Sequence, residues 1–449
     1  MTKARLDGLY LLLLGTLVFL LAAVVLIGTT AKAPVDFRGV YYPARCLVQH
    51  CDPYNVNEVQ RVYRSEGGNL PSDAPIIEEA VTHYVYPPTA FVFTVPFALL
   101  PWAAAHFLWM VLTVGSLVLA ASLMWSLGAD HAPIVSGALV GFLLANSEVL
   151  IDTANVSGIA ISLCIVAVWC FFRGRLVPLG IVCLALSLAV KPHDAGLVWL
   201  YFLFAGGVYR KRALQTLLAT IVLGLPSMIW MWYSAPQWMM EWNSNLSALS
   251  AHGGITDPGP ASLGSHGLNM VISLQAAISV FRDDPRIYNP VSYIVCAPLL
   301  LAWAFVALRS RGSRSRAWLG IAAVAALSML PIYHRQYDTK LLLLTVPGCA
   351  MLWAEGGLIG WLAVLVNATG FIVTGDIPWA ILIRGASNLH LPTTGLAAQV
   401  LQAIPVPLIL LAMSVFYVWA YVRRSLRPAS RSGVVAPFNE TADSGETSL

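Results

Sequence analysis

The chain has 449 residues, of which 58% are hydrophobic and 11% charged, with a formal net charge of +4 at pH 7. A soluble globular domain carries about 25% charged residues. Composition therefore excludes a water-soluble enzyme and gives no ground for a nucleic-acid partner; the medium is the lipid bilayer.

Apolar runs near the length of a bilayer crossing recur along the chain, which is the pattern of a polytopic all-α membrane protein. Residues 1–427 read as one integral domain of about twelve transmembrane helices. Lys3 and Arg5 precede the first run, 9–29, so the N-terminus is expected in the cytoplasm. That run is too long for the core of a cleavable signal. A first outer loop follows, 31–101. Within it Cys46 and Cys51 could pair if that side is oxidising, although spacing alone fixes no geometry. Glu58 to Glu66 reads as a short surface helix, and the proline-bounded stretch 88–100 is too short to span and reads as a half-helix.

Spans are then expected at 102–126, 133–151, 156–172, 177–190, 195–209 and 213–233. A second outer loop covers 234–288, in which Leu268 to Val280 suits an interfacial amphipathic helix. Spans at 290–308, 317–332, 340–354 and 357–374 lead to a third outer loop, 375–396, and a last span, 399–421. Residues 428–449 form a polar, disordered cytoplasmic tail. Clusters of Lys and Arg in short loops fall on the cytoplasmic side in this arrangement, which puts the C-terminus there too. The remaining polar chemistry then gathers on the extracytoplasmic face of the cell membrane.

Four groups of residues carry that chemistry. Asp36, just after the first span, is placed to accept a proton from a substrate hydroxyl; pairing with Arg38 or Arg45, or capping its own helix, is the plainer role. Arg38, Arg45 and either Tyr41 or Tyr42 share a helix face. Lys191-Pro192-His193-Asp194 interrupts an apolar region, where charge is costly; Lys191 suits a phosphate, or else a lysine snorkelling from a span end. His334-Arg335-Gln336-Tyr337-Asp338 suits a phosphate or sugar. Glu148 and Asp152 share a helix face, but a bare pair of carboxylates points to supporting hydrogen bonds more than to a metal. No nucleotide-binding P-loop, nucleophile elbow or zinc-protease motif is present.

In order, these residues form D-F-x-x-x-Y-Y-P-A-R from Asp36 to Arg45, D-P-Y at Asp52 and Y-P-P at Tyr86. They continue with N-x-S-G at Asn155, K-P at Lys191 and a His-containing turn at His334. The series resembles glycosyltransferase family 87 over nearly the whole chain. The resemblance implies a GT-C-type helical bundle with an extracytoplasmic active site. It also implies a polyprenyl-phosphate-linked sugar donor, most often mannose, and Asp36 as the general base of an inverting transfer. Lys191 and His334 would take the family's Lys-Pro and late His positions, with Arg335, Arg38 and Arg45 as further donor contacts. Tyr41, Tyr42, Tyr86, His193, Tyr337 and Asp338 are substrate-binding candidates. The acceptor would be a lipid or glycan. A lipid monophosphate donor does not demand a metal, so no metal or cofactor is expected. One departure stands out: the family commonly has G-Q or N-G-Q where this chain has Asn155-Val156-Ser157-Gly158.

Two other readings compete. A lipid-linked sugar transporter or flippase would also want charges near broken helices, but the chain lacks an internal repeat. A diphosphate-donor transferase would favour a metal and more acidic residues near Asp36, such as Asp52 and Glu148.

Overall fold

The computed structural model describes residues 2–29, 35–66, 75–262, 271–309, 314–378, 380–381 and 396–426. Most of the third outer loop and the tail lie outside the described residues. Those described are helical almost throughout, with one isolated antiparallel bridge between Val271 and Arg335.

Among the described residues, five helices are long and apolar enough to cross a membrane: Lys3–Ile27, Trp102–Gly128, Gly207–Ser234, Pro285–Arg309 and Gln399–Leu426. Their outer faces show why water is the wrong solvent. Leu14, Leu21, Val24, Val222, Ile294 and Leu301 are each more than half exposed, an apolar girdle that lipid would cover. Six shorter apolar helices, among them Ser157–Arg173 and Val177–Val190, fill the space between. The first helix packs on Pro133–Ala145 with backbones nearly touching. A Cβ on Gly15 would lie 2.1 Å from the carbonyl oxygen of Gly141, and one on Gly137 would lie 2.1 Å from that of Gly8. Small residues four apart allow this approach, which dispersion and close contact reward where lipid removes the hydrophobic drive.

Helix boundaries follow local chemistry. The helix expected from 213 begins at Gly207, so Arg210, Lys211 and Arg212 lie within its first turns. The break is set by Gly206 and Gly207, both at positive φ (75° and 53°), where a side chain would be strained. The span expected over 340–354 is a ten-residue 3₁₀ run, Gln336–Thr345, followed by the helix Val346–Glu355. Such a long 3₁₀ run is uncommon, and all ten residues are buried. Leu268 to Val280 is not an interfacial helix in its described part. Leu274–Ser279 is a short buried helix, because Ile272 and Leu274 donate backbone hydrogen bonds to the carbonyls of His334 and Leu330 and draw it inward.

The described residues of the expected first outer loop form a folded cap. Val35–Val48 is a helix with nine buried residues, and Cys46 and Cys51 are joined in a disulfide at its end. Val56–Ser65 follows, capped by the Asn55 side chain. The half-helix comprises a 3₁₀ turn, Pro88–Ala90, and the helix Phe91–Ala98. Thr89 ties it to the bundle by donating to the carbonyl of Ala189 at 2.6 Å. The helix Trp238–Ser250 closes over the cap. Trp242 donates to the carbonyl of Val85 and Asn245 to those of Tyr54 and Tyr84.

Asp52 faces Glu241 across this seam. Burial first, then the hydrogen bond with Glu241, pushes its carboxyl up to about 7, against an ordinary value of about 3.9. The folded chain thus keeps a proton that the unfolded chain releases, so this contact loses stability as pH rises from about 4 through about 7. Asp52→Asn should therefore raise thermal stability at pH 8 and change it little at pH 5. A melting temperature that falls equally at both would remove the carboxylic acid from the seam.

Candidate active site

The site forms where four breaks in helical structure meet: the start of Val35–Val48, the turn before Ser157–Arg173, the junction at Lys191, and the segment leading into the 3₁₀ run. Each break frees backbone and side-chain polar groups that an intact helix would satisfy or point outward.

Asp36 lies in the first turn of its helix, half-buried, and its Oδ2 accepts from Asn155 Nδ2 at 2.9 Å. The Asn155 amide cannot be turned around, because its Oδ1 accepts from both the backbone N–H and the hydroxyl of Ser157, at 2.8 and 2.6 Å. The Ser157 hydroxyl in turn accepts from Lys191 Nζ. Lys191 is 4% exposed and also donates to Asp338 Oδ1 at 2.6 Å. Asp338 Oδ2 accepts the backbone N–H of Arg335 at 2.8 Å and so caps the 3₁₀ run. Donors therefore point one way, from Lys191 through Ser157 and Asn155 to Asp36. Each bond polarises the next, and the carboxylate at the end is held as an acceptor.

Around it stand Arg335, Tyr333, Tyr337 and Tyr86, all within electrostatic reach of Asp36. The Arg335 guanidinium donates to the carbonyl of Ile255 at 2.9 Å and stacks 5.8 Å from the Tyr333 ring, while its Nε is buried without a hydrogen-bond partner. Tyr337 lies under Lys191, with Nζ 5.1 Å from the ring centre. His334 is fully buried and His193 half-buried; both face Asp194.

Of the residues singled out in the sequence, the structure brings together Asp36, Lys191, Tyr86, Arg335, Tyr337 and Asp338, with His193 and His334 adjoining. It places Arg38, Arg45, Tyr41 and Tyr42 elsewhere. Arg38 donates to the Tyr63 hydroxyl at 3.1 Å and lies over the Trp102 ring. Arg45 pairs with Glu66 at 2.8 Å and donates to the carbonyl of Ala98. Tyr41 donates to the carbonyl of Leu100, and Tyr42 stacks on Trp102. Arg45 and Tyr41 thus pin the cap to the end of the half-helix, and Arg38 and Tyr42 pack it on Trp102 at the start of the next helix. Asp36 is two residues from Arg38, about 200° around the helix, and so looks the other way.

Three participants were not singled out. Asn155 and Ser157 stood only within a short motif and its departure from the family pattern, with no role assigned, yet they form the link between Lys191 and Asp36. Lys340 is buried beneath the site, donating to the carbonyl of Asn146 at 2.7 Å and lying 3.9 Å from Asp376. Asp376 accepts the backbone N–H of Val149, so Glu148 and Asp152 lie by a supported helix start. The signal for Lys340 was a charge abutting four leucines, which a span boundary explained too easily.

The family model for glycosyltransferase family 87 matches residues 84–332, more than half of the chain. Asp36 and the turn from His334 to Asp338 lie outside the matched stretch and join it through Asn155 and Lys191. No curated protein and no solved structure matches the chain.

Proposed function

The chain belongs to glycosyltransferase family 87, and from that membership we propose that it transfers a hexose, with mannose as the first candidate. The donor is a polyprenyl phosphate sugar, the acceptor a lipid or glycan hydroxyl, and the face extracytoplasmic. The observation that carries this reading is the directed chain of hydrogen bonds that ends on Asp36 beside Arg335. It supplies a base and an anion contact at one place.

In this mechanism Asp36 takes the proton of the acceptor hydroxyl as that oxygen forms its bond to the anomeric carbon. The bond from that carbon to the phosphate oxygen breaks on the opposite face, and the lipid phosphate leaves with the electron pair. One carboxylate suffices because the leaving group needs no proton, whereas a glycosidase requires an acid as well. Arg335, whose Nε has a donor to spare, meets the growing phosphate charge, and Lys191 reinforces it from behind. Tyr86 and Tyr337 supply faces for the sugar, and the half-helix offers a flank for the polyprenyl chain. Orientation is supported by the far end of the bundle, where Arg5 and Arg173 meet Asp130 and Arg212 reaches the carbonyl of Phe171. Basic residues collect on the cytoplasmic side.

The test is transfer of radiolabelled mannose from synthetic polyprenyl phosphate mannose into a lipid extract of the native host by the purified chain. Labelled product with inverted anomeric configuration is expected. Donor binding without product would redirect the reading to another sugar or acceptor. Vesicle-to-vesicle movement of the intact donor, with no transfer, would replace it by a flippase.

A further inference from the structure

Beside the hydrogen-bond chain lies a second cluster that the transfer mechanism leaves unused. His193 and Asp194 occupy the first turn of Pro192–Ala205, and His334 comes from the turn before the 3₁₀ run. His193 Nε2 is 3.7 Å and His334 Nε2 3.5 Å from the same oxygen, Asp194 Oδ1. One coordinating atom from each residue falls within 4.8 Å of the others. Asp194 is 1% and His334 0% exposed. Neither carboxylate oxygen of Asp194, nor Nε2 of either histidine, has a hydrogen-bond partner. Lys191, which donates to Ser157 and Asp338, comes no nearer than 3.5 Å to Asp194 Oδ2.

Buried polar atoms are nearly always satisfied, so three such atoms gathered at one point, Asp194 Oδ1 and the two Nε2 nitrogens, call for an occupant. His334 Nδ1 lies 3.2 Å from the carbonyl of Ile332, which can only accept, so Nδ1 carries a hydrogen toward that carbonyl and Nε2 is the nitrogen turned to Asp194. That is the outer-sphere contact that metal-binding histidines make. A lone pair aimed at a carboxylate is repulsive unless something positive lies between. A hydrogen on His193 Nε2 would answer Asp194 but leave the His334 nitrogen facing the same oxygen. A divalent ion answers all three groups at once. Bonds of about 2.0–2.1 Å at tetrahedral angles separate ligand atoms by about 3.3–3.5 Å, near the 3.5 and 3.7 Å from Asp194 Oδ1 to the two rings. Two imidazoles and one carboxylate suit zinc or another late divalent transition ion and leave a coordination position open.

We infer that His193, Asp194 and His334 bind one divalent transition-metal ion beside the Lys191–Asp338 pair. This runs against the metal-free expectation from the sequence, and it does not depend on which sugar or lipid the protein handles. The ion would anchor the start of the Pro192–Ala205 helix to the turn at His334, fixing Lys191 between them.

The test uses the full chain in detergent, stripped with chelator and then given Zn²⁺ or Co²⁺ alone. One equivalent of metal per chain after gel filtration, with the visible absorption of low-symmetry cobalt, is the expected result. His334→Ala should weaken binding at least about a hundredfold, the scale on which even supporting partners of metal ligands act. His193→Cys, at the half-exposed position, should keep the cobalt and add a thiolate charge-transfer band, which a folding defect could not produce. Stripped wild type that retains no zinc and gives no cobalt spectrum, while still folded by its melting curve, would overturn the inference and leave a protonated histidine in the cluster. Because metal is counted directly, failure of sugar transfer bears on the proposed function and not on this site.

Discussion

Asp36→Asn should lower the turnover of sugar transfer at least about a hundredfold while leaving KM for the lipid donor within a few-fold. General-base catalysis contributes about 10²–10⁴ in rate, and the substitution removes only the proton acceptor. The geometry explains why the fold should survive. Asp36 Oδ2 accepts from Asn155 at 2.9 Å, and the asparagine oxygen can accept the same bond. The change is confined to the other atom, where a carboxylate oxygen becomes an amide nitrogen that donates and cannot take a proton. Steady-state kinetics on the two proteins, matched for melting temperature, decide the matter. A rate within tenfold of wild type would remove Asp36 from proton transfer. Asn155→Ala offers a companion measurement, because it leaves the carboxylate and removes its orientation. It should cost less than Asp36→Asn, since an unheld carboxylate is still a base.

The helices bounded by strong punctuation were legible in the sequence. Val177–Val190 was readable to the residue because Pro178 opens it and Lys191-Pro192 closes it, and the first crossing was legible from an apolar run between charges. The 3₁₀ run was not, because four consecutive leucines have no period from which to tell one helix type from another. Asp36, Lys191 and Asp338 were legible as charges in costly places. Their linkage was not: Asn155 and Ser157 stand two apart in a turn, and only the fold shows that one faces Asp36 and the other Lys191. Arg38 and Arg45 looked equally suited to a phosphate. Their real partners, Tyr63, Glu66 and the carbonyl of Ala98, come from segments 21 to 53 residues away. No local pattern predicts those contacts.

Lys191→Met should be the most damaging single change to stability, by about 3–5 kcal/mol, the cost of leaving a buried charge without its partner. Lys191 is 4% exposed and its hydrogen-bonded partner Asp338 1%, so water cannot replace the lost ammonium group at that carboxylate. Adding Asp338→Asn to Lys191→Met should recover part of the loss, because it removes the stranded charge while an amide oxygen still caps the 3₁₀ run through the Arg335 N–H. Recovery of stability should not restore transfer. Without the ammonium donor, the Ser157 hydroxyl is no longer held toward Asn155, and the orientation of Asp36 is lost with it. Thermal unfolding and transfer assays on wild type, the single and the double variant separate the two roles. A Lys191→Met protein less than about 1 kcal/mol weaker than wild type would mean that Asp338 reaches solvent or another cation, since exposed pairs contribute only that much. Parallel recovery of stability and turnover in the double variant would instead mean that Lys191 acts on catalysis only by holding the fold, leaving Arg335 to meet the phosphate alone.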